Sequence, residues 1–109
     1  MLAAALFLAA GSDAANVVRA EWSLRRAESA RFDLAVTLCG DAGRIADYRR
    51  LQARQQELEK HFRTSFGRSA IDWLVVDDRG DCENPGGFRR YVAAYDNALA
   101  DAREAMGAD

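Results

Sequence analysis

The sequence predicts an all-α protein: a small antiparallel bundle of three long helices plus one short helix, stapled by one disulfide. Long stretches without proline carry apolar residues at three-, four- and seven-residue spacings. Short links bearing glycine and aspartate separate them, CGDAG at 39–43 being the clearest. The only two cysteines, Cys39 and Cys82, form an even pair. The 109 residues are one domain's worth of chain, with 50% hydrophobic and 29% charged residues. That balance belongs to a folded protein, not a disordered one.

The first helix is expected from about Ala15 to Leu38, a stretch without proline or glycine. Val17, Ala20, Leu24, Ala27, Leu34 and Leu38 form its apolar stripe, which Trp22, Phe32 and Val36 widen. Gly40 supplies a stop, and Asp41 an N-cap for the second helix. That helix is expected from Ala42 to Phe66, with Ile45, Tyr48, Leu51, Leu58, Phe62 and Phe66 on one side. Glu57–His61 and Glu59–Arg63 are spaced as supporting i,i+4 pairs on the other side. The short CGDAG link makes these two helices an antiparallel hairpin.

Gly67 ends the second helix, and Ser69 with Asp72 reads as the start of a short one. By period alone, AIDWLVV at 70–76 fits a short helix or a buried strand. No other segment reads as a partner strand, so helix is the assignment. Asn84 and Pro85 then open the last helix as an N-cap and first-turn proline. Its stripe is Phe88, Tyr91, Val92, Tyr95, Leu99, Ala102 and Met106, ending at Gly107.

Chain geometry brings the cysteines together. The second helix carries the chain about 35 Å away from Cys39. A short helix over 69–77 and an extended 78–82 return roughly 30 Å. Cys82 therefore comes back beside the turn after Leu38, and the last helix starts at that end of the bundle.

The N-terminal MLAAALFLAAGSDAAN resembles the apolar core and small-residue cleavage region of a secretory leader, without its basic n-region. This sets a leader over 1–14 and one helical domain over 15–109. The apolar run falls short of the roughly 20 residues that span a bilayer, so no stable membrane anchor is expected once the leader is removed. Export places the protein in the periplasm or outside the cell, where a Cys39–Cys82 disulfide persists. If the apolar segment is not a signal, the protein is cytoplasmic and the cysteines are buried thiols.

The net charge is −2, unevenly spread. Residues 16–68 hold eleven Lys/Arg against seven Asp/Glu, and 69–109 hold four against nine. The signs are mixed within each block, so pairing between the halves is the expected arrangement. The second helix carries Arg44, Arg49, Arg50, Arg54 and Arg63, with Arg68 just beyond. Glu57 and Glu59 dilute that face, and nucleic-acid binding is not expected.

The chemical motifs fail one by one. DDRGDCENPGGFRRY at 77–91 is acidic, but no register beginning at Asp77, Asp78 or Asp81 satisfies a calcium loop. Arg79-Gly80-Asp81 is ordinary turn chemistry. Cys39, His61 and Cys82 are too far apart in sequence for zinc, which favours close ligand pairs. His61 is the sole histidine, and neither a phosphate loop nor a nucleophile motif accompanies it. Gly86-Gly87 followed by Arg89 and Arg90 is a weak anion signal at a helix start. Trp22, Trp73, Tyr91 and Tyr95 read as core or half-buried residues.

The expectation is a non-catalytic binding protein without cofactor or metal, acting on a protein partner as an inhibitor or chaperone-like factor. A carrier with an inter-helix pocket lined by Trp and Tyr is the second reading. A small enzyme using Asp77, Asp78 or His61 is the third.

Overall fold

A computed structural model describes residues 2–71 and 85–107, with side chains over 14–71 and 86–107. It is helical: α1 spans Leu2–Ala35, α2 spans Ala42–Phe66 and α3 spans Phe88–Met106. A single 3-10 turn, Pro85–Gly87, leads into α3. The molecule extends 58 × 24 × 17 Å, and the long axis matches α1, whose 34 residues reach about 51 Å.

α1 begins at Leu2, not at Ala15, because the Ala- and Leu-rich run continues the helix without a break. Among the described residues no helix is long and apolar enough to cross a membrane. α1 also ends three residues before Leu38. There the Thr37 amide bonds the Leu34 carbonyl at 3.0 Å and the Thr37 hydroxyl donates to the same oxygen at 2.8 Å. This tightens the last turn and stops propagation. Left-handed backbone begins at Cys39 (φ 51°) and continues at Gly40 (φ 70°). Cys39 therefore holds a conformation that a side chain disfavours.

α2 keeps its expected bounds and both expected caps. The Asp41 carboxylate accepts from the Arg44 amide at 3.0 Å. Gly67 closes the helix in left-handed backbone, its amide bonded to the Arg63 carbonyl. The short helix does not begin at Ser69. Residues 69–71 are not helical, although the Ser69 hydroxyl accepts from the Ile71 amide as a cap would. The remainder of that expected helix, including Asp72, Trp73 and Asp77, lies outside the described residues. α3 takes Gly87 as its N-cap, without a side-chain cap. A Cβ at Gly87 would stand 2.5 Å from the Tyr91 ring, so the glycine lets that ring close over the helix start.

The bundle is assembled around α1 and α3, which pack most extensively. Ala20, Ser23, Ala27, Ala30 and Leu34 are buried on α1, and Tyr95, Ala98, Ala102 and Ala105 on α3. Each set alternates three- and four-residue steps, the spacing of an antiparallel seam. Alanine on both sides allows the helix axes to approach closely. α2 covers one side of this pair through Leu51, Leu58 and Phe62, with Phe62 edge-on to Phe66 at 4.9 Å.

Arg44 fixes where α3 starts. Its guanidinium donates to the Thr37 carbonyl at 2.8 Å and lies 4.8 Å over the Phe88 ring. The start of α3 therefore sits at the α1–α2 turn, as the chain length required. α3 runs parallel to α2 and antiparallel to α1.

The two charge blocks pair where the helices meet. Asp101 accepts from Arg19 Nε at 3.0 Å and from Arg26 Nη2 at 3.0 Å, and also from the Ser23 hydroxyl. The Arg19 hydrogen bond, then that of Ser23, holds the Asp101 carboxyl below its ordinary pKa. Arg54 and Asp96 add a 2.5 Å pair between α2 and α3.

Candidate functional site

Two features of the bundle are not explained by packing: a buried polar layer under α2 and an exposed tryptophan on α1.

The polar layer begins with Gln55. It occupies the stripe position between Leu51 and Leu58, where an apolar residue is the rule, and it is only 2% exposed. Tyr95, fully buried on α3, donates its hydroxyl to Gln55 Oε1. Burial raises the Tyr95 pKa, so the phenol keeps its proton and remains a donor. This fixes the amide. Gln55 Nε2 then donates to Glu28 Oε1 at 3.3 Å and to Glu59 Oε1 at 2.8 Å. Arg31 Nε donates to the same Glu28 oxygen, and Arg31 Nη1 donates to the Tyr48 hydroxyl at 2.7 Å. Burial acts to lower the Arg31 pKa, but the hydrogen bonds with Glu28 and Tyr48 outweigh it and raise it. One network thus ties all three helices together.

The layer opens to solvent as a recess of about 190 Å³ between α1 and α2, lined by Glu28, Arg31, Gln52, Gln55, Gln56 and Glu59. Glu59 is the unbalanced member. Burial raises its pKa above the ordinary carboxylate value, against the opposing Gln55 hydrogen bond. A carboxyl that binds its proton more tightly when folded disfavours folding above its folded pKa; this penalty fades as pH falls through the folded pKa and is gone below the unfolded-chain value. Glu59→Gln is therefore expected to raise the melting temperature at neutral pH, with the gain shrinking in acid. Thermal unfolding across that range checks it.

On α1, Val18 and Trp22 stand 55% and 58% exposed, one helical turn apart. This corrects the expectation that Trp22 belongs to the core. The hundred-degree step of a helix sets it opposite Leu24 and Ala27. Arg25 braces the indole, with its guanidinium 5.3 Å from the ring centroid. Arg25 is itself held by Glu21 Oε1 at 3.1 Å and by the Ala70 carbonyl at 3.0 Å. Beside Trp22 lies an open groove of about 350 Å³ that reaches Ala30, Asp33 and, on α3, Ala94.

The residues singled out in the sequence do not converge. Cys39 is exposed at the α1–α2 turn, while its proposed partner Cys82 lies outside the described residues, as do Asp77, Asp78, Asp81, Glu83 and Trp73. His61 is exposed on α2, in a separate depression with Arg54, Glu57 and Arg103. Glu59 accepts from the Gln55 amide in place of the expected pairing with Arg63. Tyr95 is a core residue and Tyr91 is half-buried, so neither joins Trp22 in a shared cage. Arg89 and Arg90 are exposed beyond Gly87, and the Arg90 guanidinium lies over the Tyr91 ring at 5.1 Å. Among the basic residues of the second helix and its end, Arg44, Arg54 and Arg68 are engaged with Phe88, Asp96 and Glu21. Among the described residues no group of three or more His, Cys, Asp or Glu gathers as a metal site. Sequence reasoning missed Glu28 and Gln55, although a glutamine inside an apolar stripe was a readable signal.

Comparison of the chain with known family models, curated proteins and solved structures finds no match.

Proposed function

We propose that this is a small exported helical protein, stapled by a Cys39–Cys82 disulfide, that acts by non-catalytic binding to a protein partner through the Trp22 groove. The observation that carries the reading is the exposure of Val18 and Trp22 beside an open groove. A large aromatic held rigid by a cation and left in solvent is the anatomy of an interface anchor. The α1–α3 seam has α2 on one side, and the groove lies along it between Ala30 and Ala94. Small residues there leave room for an apolar side chain of the partner. The rim carries Arg25 and Arg26 against Asp33, and Arg26 is 60% exposed. The fitting occupant therefore presents an apolar side chain within a polar rim.

The reading of a staple rests on the even cysteine pair and on chain length. The Arg44–Phe88 contact also starts α3 next to Cys39's turn, within reach of the chain leading from Cys82. Export rests on the apolar leader-like run and on the cysteine pair.

The test uses the full chain in its native host, with a photo-reactive residue at position 18. One discrete adduct to another protein is expected, and Trp22→Ala should abolish it. Because Trp22 is exposed, that variant should melt within about 0.5 kcal/mol of the parent. No adduct, an adduct only to a second copy of the chain, or one indifferent to Trp22→Ala overturns the reading.

A further inference from the structure

We infer that the recess between α1 and α2 is a binding site for the primary ammonium group of a small aliphatic amine. It shares no lining residue with the Trp22 groove and does not rest on the reading given to that groove.

The recess is built from the inside. Two of its lining side chains are more than nine-tenths buried, Glu28 at 6% and Gln55 at 2% exposure. Their orientation is imposed from beneath, because Tyr95 occupies Gln55 Oε1 and so commits the amide hydrogens to the two carboxylates. Burying such a network costs desolvation that an apolar residue at position 55 would avoid. What the network achieves is to hold Glu28 and Glu59 at one opening.

The charge balance then selects the ligand. Two carboxylates face one guanidinium, leaving the lining one negative charge in excess. Arg31 is spent on Glu28 and Tyr48, and the hydrogen bond that Glu59 accepts comes from a neutral amide, with Arg31 and Arg63 acting on it only through space. An anion is disfavoured by that excess. A divalent cation wants about six oxygens in near-octahedral array, and the two carboxylates are the only charged ligands here. A primary ammonium needs three acceptors, and the lining offers the Glu59 carboxylate and the side-chain carbonyls of Gln52 and Gln56. The volume of about 190 Å³ admits a short alkylammonium but not a bulky ring system.

The test titrates the ¹⁵N-labelled full chain with n-butylammonium chloride, using tetramethylammonium chloride at the same ionic strength as a control. The expected result is saturable movement of the Gln52, Gln55 and Gln56 side-chain amide signals with n-butylammonium alone. In Glu59→Gln the affinity should fall about tenfold or more, the range of a charged hydrogen bond. That variant is expected to be at least as stable as the parent at neutral pH, so loss of binding cannot be loss of fold. Equal movement with tetramethylammonium, which has no N–H to donate, overturns the assignment. So does a response that fails to saturate, or one unchanged by Glu59→Gln.

Discussion

Replacing Gln55 with alanine should lower the unfolding free energy by about 3 kcal/mol. The lost methylenes are a small part of it. The larger part is what the substitution leaves behind. Tyr95 is fully buried and Glu28 is 6% exposed; Tyr95 loses its one hydrogen-bond partner, while Glu28 loses one of two and keeps Arg31. An unsatisfied buried hydroxyl costs about 1–3 kcal/mol, and a buried carboxylate more. Water entering from the recess can reach Glu28 but not the Tyr95 hydroxyl beneath Gln55, so the two deficits are not equally repaired.

A double-mutant cycle separates the terms. Tyr95→Phe alone leaves Gln55 Oε1 without its donor and should cost about 1–2 kcal/mol. In the Gln55→Ala background the same change removes an already unsatisfied hydroxyl, and should cost little or even stabilise. Denaturant unfolding of the four proteins at neutral pH measures the coupling. Strict additivity, or a Gln55→Ala loss below about 1 kcal/mol, would mean that the network is ornamental to stability.

This polar layer also marks where sequence reading ran out. Element boundaries set by local chemistry were legible: Asp41 and Gly67 bound α2 because a carboxylate cap and a left-handed glycine act within one turn. The apolar stripes were legible too, since Leu51, Leu58 and Phe62 on α2 and Tyr95, Leu99 and Ala102 on α3 are buried. The direction of α3 came from chain length alone. Trp22 was misassigned because size and aromaticity suggest burial, whereas helical angle decides it. Glu28 lies off the apolar stripe of α1 and is nevertheless buried, because a neighbouring helix supplies its polar partner. Glu59 is the i+4 neighbour of Gln55, but Glu28 lies on another helix, so only the packed helices could reveal that one amide serves both carboxylates. The start of α1 at Leu2 was missed because the small residues at 11–14 read as the end of a leader, and the turn at 69–71 because Ser69 reads as a cap.

Cys39→Ser should cost about 4 kcal/mol if the proposed staple closes the long loop to Cys82. The site makes this an unusually clean measurement. Cys39 is exposed in the turn between α1 and α2, so exchanging sulfur for oxygen removes almost no packing. It is also already in left-handed backbone at φ 51°, a conformation that serine tolerates no worse than cysteine. The loss would therefore report loop closure in the unfolded chain and not damage to the native bundle. Cys82→Ser should give the same loss, reductant should bring the parent down to the level of either variant, and reductant should not change the variants. Intact mass of the parent from its native host should be lower by two hydrogens than after reduction. A parent whose stability and mass ignore reductant removes the staple, and with it half the support for export, because a disulfide of this kind endures only in an oxidising compartment. If the loss appears in full, it is a large share of the roughly 5–15 kcal/mol that a domain of ordinary stability possesses.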